Sequence, residues 1–178
     1  MNKKIKILFV CHGNICRSTM AQSIMQHIVS AAGKDDEFLI DSAATDTDEI
    51  GNGVYPQTRQ KLTEKGIPTV EHRARLMVPS DGLTWDYIAL MDDENVRHSR
   101  RILGSHPEAS VFKLMGVTDK RFGATNDERL TNLGSGYVMT DARDVADPWY
   151  TRDFESTYQD LIAACTTLFE MLTDVPAE

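Results

Sequence analysis

Apolar positions along this chain fall into short unbroken runs that alternate with stretches of helical period. Ile5 to Val10 is apolar but for Lys6, the pattern of a strand buried on both faces of a parallel sheet. Thr19 to Ala32 reads as the next helix, with Met20, Ile24, His27 and Ile28 on its apolar face. Phe38 to Ile40 is a second strand, and Pro56 opens a helix that Gly66 closes. Tyr87 to Met91, Asp93 to Leu103 and Val111 to Met115 read as strand, helix and strand. Phe154 to Leu172 is a long last helix whose Tyr158, Leu161, Ile162, Cys165, Leu168, Phe169 and Leu172 share one face, which turns Cys165 to the core. Strands alternating with helices predict an α/β fold with a parallel sheet, and 178 residues without repeats suit a single domain, 1–178.

Composition narrows the function classes. A net charge of −8 argues against nucleic acid and anionic membrane surfaces as partners. No apolar run approaches a membrane span. The basic start before Ile5 has too short an apolar core for a secretory signal, so the expected location is cytoplasmic. Three cysteines do not make a disulfide framework, and neither they nor the five histidines show metal-ligand spacing; no cofactor or metal is expected.

The candidate chemistry lies at the end of the first strand, in Cys11-His12-Gly13-Asn14-Ile15-Cys16-Arg17-Ser18. Gly13 and Asn14 tolerate the left-handed backbone of a tight loop. Ser18 stands where a helix is capped. Successive N–H groups at a helix N-terminus cradle an anion and favour a thiolate, so a phosphate would meet the Cys11 nucleophile there. Arg17 adds a planar fork for two phosphate oxygens, and Ser18 can donate to the sulfur.

This octapeptide resembles the phosphate loop of the low-molecular-weight protein tyrosine phosphatases. Asp147-Pro148-Trp149-Tyr150 resembles that family's Asp-Pro-aromatic-aromatic motif, and Asp41-Ser42-Ala43, His72-Arg73-Ala74-Arg75 and Met91-Asp92-Asp93-Glu94-Asn95 resemble further family segments. The resemblance implies a doubly wound four-stranded parallel sheet flanked by helices, with the ligand beyond the C-terminal strand ends. It implies Cys11 as nucleophile, Asp147 as general acid and base, and Arg17 with the loop residues 12–18 as phosphate binders. Asn14 and Ser42 match positions that brace the loop by hydrogen bonds. His72 and Asp92 match a supporting pair. Cys16 matches a cysteine that forms a reversible disulfide with the nucleophile; a small buried residue is the equal alternative. Ile15 goes with the tyrosine branch of the family, where the arginine branch has Thr. The implied partners are a phosphotyrosine protein as substrate and, as bacterial relatives suggest, a tyrosine kinase as counterpart.

Two stretches depart from the family pattern. Where an aromatic wall is expected after Ser42, Thr47 and Asp48 stand instead. That loss of a stacking surface and gain of charge predict a preference for neutral or basic flanks around the phosphotyrosine; Tyr55, Trp149 and Tyr150 remain as ring contacts. Phe122 to Thr140 has no clear period and reads as a loop insertion, either a lid or a surface excursion.

Other functions on such a loop are weighed by their residues. An arsenate reductase needs two relay cysteines, yet none lies between Cys16 and Cys165. A phosphocarrier needs neither Arg17 nor Asp147. A non-catalytic phosphate-binding module needs no nucleophile.

Overall fold

In a computed structural model, which describes residues 3–174 and 177, the chain forms one parallel sheet between two layers of helices. The elements run β1 (Ile5–Cys11), α1 (Arg17–Ala31), β2 (Phe38–Ala44), α2 (Pro56–Glu64), α3 (Asp81–Thr84), β3 (Tyr87–Leu90), α4 (Asp93–Leu103), β4 (Ser110–Lys113), α5 (Asn126–Asn132), β5 (Gly136–Val138), α6 (Pro148–Thr151) and α7 (Phe154–Thr173). The sheet order is β2-β1-β3-β4-β5, and every neighbouring pair is parallel.

β1 lies between β2 and β3, and Ile7, Leu8, Phe9 and Val10 have no exposed surface, which explains its unbroken apolar run. Ile7 and Phe9 face α1 and α7; Leu8 and Val10 face the other layer with Ile88, Leu90 and Val96. Cys11 is the last residue of β1, so the loop after it opens at the C-terminal edge of the sheet, at the switch point where β2 and β3 flank the first strand.

Among the described residues the sheet has five strands, not four. The fifth, Gly136–Val138, is three residues long and pairs with β4, Ser110 opposite Gly136. A strand that short at a sheet edge leaves no alternation to read. The segment 122–140 also holds α5, closed by a capping box in which Thr125 accepts from Glu128 N while the Glu128 carboxylate takes the Thr125 N–H. α5 packs on α7, so much of this segment extends the sheet and its helical cover.

Three smaller readings shift. β2 continues through Ser42 to Ala44, so Ser42 lies on the strand. α1 starts at Arg17 with Cys16 as N-cap, and no side chain caps it. His27 is exposed, leaving the apolar face of α1 to Met20, Ile24, Ile28 and their neighbours. Cys165 is wholly buried on α7.

Candidate active site

Between β1 and α1 the chain turns around one point, and its carbonyls face outward. The Cys11 carbonyl accepts from Thr45 N (3.0 Å), His12 from Asp46 N (3.1 Å), Ile15 from Tyr55 N (2.9 Å) and Cys16 from Met20 N (2.9 Å). The Asn14 carbonyl lies 2.7 Å from His72 Nε2. Burial lowers the His72 pKa, so the ring is neutral and donates Nε2–H to that carbonyl. Because N–H and C=O point to opposite sides of a peptide plane, the loop amides face the other way. Among the described residues, those of Gly13 to Arg17 meet no acceptor. Such a row of inward amides is an anion site.

One residue carries the sharp turn. Asn14 has φ 59°, is fully buried, and is held by its own side chain: Oδ1 accepts from Arg75 N (3.2 Å) and Nδ2 donates to Ser18 Oγ (2.8 Å). Gly13 contributes closeness of packing rather than a left-handed turn. Its φ is not positive; instead, a Cβ there would sit 3.1 Å from Glu49 Cγ. Ser18 lies inside α1, and its hydroxyl is not a helix cap. Its Oγ is 3.1 Å from Cys11 Sγ. With the Asn14 amide donating to that oxygen, the Ser18 proton is free to reach the sulfur.

Arg17 is 2% exposed, and three of the five N–H donors of its guanidinium are engaged. Nη1 donates to Asp92 Oδ2 (2.6 Å) and to the Val145 carbonyl (3.0 Å); Nη2 donates to Asp147 Oδ2 (3.1 Å). Burial works against its charge, but Cys11, Asp147 and Asp92 together raise its pKa. Asp92 is also the N-cap of α4, where Oδ1 accepts from Asn95 N (2.8 Å). One carboxylate therefore ends a helix and aims the arginine. Asp147 is the N-cap of α6: Oδ1 accepts from Trp149 N (3.0 Å), leaving Oδ2 toward Arg17. Residues 130 positions apart in the chain thus meet over the loop.

A profile described as "Low molecular weight phosphotyrosine protein phosphatase" matches residues 6–176. The chain belongs to that family. Proteins of that name from Schizosaccharomyces pombe and Homo sapiens are, respectively, 41% identical over 65% of this chain and 72% of theirs, and 32% identical over 92% and 93%. YfkJ from Bacillus subtilis has the same fold, with a TM-score of 0.81 at 29% identity over 97% of either chain. The relatives are named as phosphatases, so this chain is a phosphoric monoester hydrolase of the low-molecular-weight phosphotyrosine type.

The members of the supporting set part company in space. His72 and Asp92 do not form a pair: one fastens the loop backbone, the other holds the arginine. Ser42 does not reach the loop and donates instead to Gln22 Oε1 on α1 (2.6 Å). At the mouth, Asp48, Glu49, Trp149 and Tyr150 line the cavity with Cys11, Ile15 and Asp147. Tyr55 stands behind that wall. Its ring meets Trp149 edge-on at 5.2 Å and stacks on Phe154, and its hydroxyl accepts from Arg152 (3.1 Å). Burial and the neighbouring Cys11 push the Cys16 thiol up to about 12, so it is a poor nucleophile as it stands.

Four residues were not singled out from the sequence. Val145 offers its carbonyl to Arg17, and no side-chain pattern signals a carbonyl. Arg75 feeds Asn14 and lies in the His-Arg-Ala-Arg segment, which is the one signal for it. Glu49 packs on Gly13, and Glu94 Oε1 lies 2.9 Å from His12 Nδ1. His12 also meets Asp48 through Nε2 (3.0 Å). The ligand atoms of His12, Asp46 and Asp48 lie within 4.8 Å of one another, close enough to hold an ion. An Asx turn, Asp48 N on Asp46 Oδ1 (3.2 Å), accounts for the two carboxylates being together.

Proposed function

We propose that the protein removes phosphate from tyrosine side chains of proteins through a Cys11 thiophosphate intermediate. The carrying observation is that Cys11, Arg17 and Asp147 converge on one loop whose carbonyls at Cys11, His12, Asn14, Ile15 and Cys16 are tied outward. An incoming phosphoryl group takes the Arg17 fork and the loop amides. Cys11 Sγ attacks phosphorus, the P–O bond breaks, and protonated Asp147 gives its proton to the leaving phenolate. Water then attacks phosphorus, the P–S bond breaks, and the Asp147 carboxylate takes the water's proton. Ser18 donates to the thiolate as it leaves. The reaction needs no metal in any of these steps.

Ile15 supports tyrosine over arginine as the phosphate carrier, and the wall of Trp149 and Tyr150 offers ring contacts to an aryl ester. The acidic lip of Asp48 and Glu49 supports neutral or basic flanks in the substrate. A tyrosine kinase is the natural source of such substrates, and a net charge of −8 disfavours nucleic acid as a partner. Cys11, Cys16 and Cys165 are all free, which suits a reducing compartment and a cytoplasmic enzyme.

Hydrolysis of p-nitrophenyl phosphate with EDTA present, in wild type and Cys11→Ser, tests the reading. Turnover in the wild type and none in the variant is expected, with phosphotyrosine preferred over phosphoarginine. A folded, reduced wild type that binds phosphate without turnover would return the protein to the binding-module reading; a phosphorylated Cys11 that accumulates unhydrolysed would make it a phosphocarrier.

A further inference from the structure

Lys113 is a buried charge that the mechanism leaves unused. Lys113 ends β4, its side chain is 3% exposed, and its Nζ lies 2.7 Å from Asp93 Oδ1 and 2.6 Å from Asp144 Oδ1. Asp144 Oδ1 also accepts from Asp93 N (3.2 Å), so the ammonium and the two carboxylates form one closed cluster. The chain positions of those carboxylates give the cluster its meaning. Asp93 follows Asp92, and Asp144 precedes Val145; Asp92 and the Val145 carbonyl are the two groups that share Arg17 Nη1. The same two strands of chain are joined once more by Val145 N donating to the Met91 carbonyl (2.8 Å). Asp147, three residues past Asp144, hangs from the far end of this joint.

We infer that Lys113 is a positioning residue for the reaction: by holding Asp93 and Asp144 it sets where Arg17 and Asp147 stand over Cys11. The inference rests on the phosphatase mechanism proposed above. Burial alone would disfavour the ammonium, but its two carboxylate partners keep it charged. Without it, Asp93 and Asp144 are like charges at close range, and the segment 143–147 is pushed off α4. The chain end of that displacement is the general acid. Its loss should therefore depend on the leaving group: p-nitrophenolate departs with little help from an acid, whereas phenolate needs the proton.

The experiment compares kcat/KM for p-nitrophenyl phosphate and phenyl phosphate, corrected for active fraction by burst titration. Lys113→Met is expected to lower the first about 10-fold and the second about 100-fold, since small displacements of catalytic groups carry penalties of that order. Lys113→Arg, which keeps a cation, is expected to restore most of the difference. Asp144→Ala frees the acid segment while leaving Lys113 paired with Asp93, and Asp144 is half exposed, so this variant decides the matter if Lys113→Met fails to fold. It is expected to show the same leaving-group bias at smaller size. Equal losses on both esters, or no loss, in the folded variants would overturn the positioning role while leaving the mechanism intact. A wild type without Cys11-dependent turnover would overturn the mechanism and this inference with it.

Discussion

The two halves of the site are built by opposite means. The phosphate loop, residues 11–18, is contiguous, largely buried and held at the junction of an inner strand, β1, with its helix. Its turn is set by its own residues, a left-handed Asn14 that donates to Ser18 and a Gly13 that lets Glu49 close in, and its carbonyls are then tied outward to Thr45, Asp46, Tyr55 and His72. The segment 141–151 has one helical turn, exposed aromatics and little local order. It is fastened by distant partners: Val145 to Met91, Asp144 to Lys113, Arg143 to Asp160 and Asp147 to Arg17. A nucleophile needs a fixed oxyanion cradle, which local backbone can supply. A general acid must face a leaving group that differs among substrates, and a segment pinned at a few points can carry it without closing the mouth.

The largest effects should separate these halves. Arg17→Lys removes the fork that spans two phosphate oxygens and the contacts to Asp92 and Val145, and should cost about 10³-fold in kcat/KM on any aryl phosphate. Asp147→Asn keeps the cap on Trp149 N but has no proton to give. It should cost about 10²–10⁴-fold on phenyl phosphate and far less on p-nitrophenyl phosphate. Steady-state kinetics on the two esters check both. If Asp147→Asn lost equally on each, the acid segment would be part of the oxyanion cradle and the contrast would collapse.

The same contrast explains what could be read from the chain. Cys11, Arg17 and the loop are legible because one short stretch carries nucleophile, amides and guanidinium, and an apolar strand leads into it. The central strands and α7 are legible for the same reason, each burying a continuous apolar face. Asp147 was visible only as part of a motif; nothing in residues 141–146 says that Val145 would lend its carbonyl to Arg17. Ser42 reads as a brace for the loop, but its strand runs four residues further than its apolar start, Phe38 to Ile40, suggests, and the hydroxyl meets Gln22. β5 and α5 were hidden because a three-residue edge strand and a seven-residue polar helix have no period long enough to register.

Within the loop, backbone strain and hydrogen bonding can be told apart at Asn14. Asn14→Ala places a Cβ residue without a polar side chain at φ 59° and strands Arg75 N. It should lower stability by about 3 kcal/mol, from the left-handed conformation and the unmet donor together. Asn14→Gly relieves the first and should recover about 1 kcal/mol of it. Urea unfolding measures both. Equal losses in the two variants would mean that the turn carries no strain, and the loop would then be no more locally determined than the acid segment.

The smallest effect sets two histidines that flank the site against each other, His12 in the loop and His72 behind it. His72 is held behind the loop by a carbonyl, and burial lowers its pKa below 6.5. His12 is at the mouth, where burial also works against the charge, but its hydrogen bonds to Asp48 and Glu94 and the charges of Glu94 and Asp46 outweigh it, and the pKa rises above 6.5. The signs of their contributions to stability are opposite. For His12, stabilisation is complete below the unfolded value of 6.5 and is lost as pH rises through the higher folded value. For His72, the folded state resists protonation, so stability is lost as pH falls from 6.5 through the lower folded value. An NMR titration of the imidazole resonances should place the two on either side of 6.5. His12→Asn should erase the alkaline part of the stability profile and leave the acidic part. Should both rings titrate on the same side, the lip formed by Asp48 and Glu94 does not grip His12 in solution, and the mouth of the site is looser than the loop beneath it.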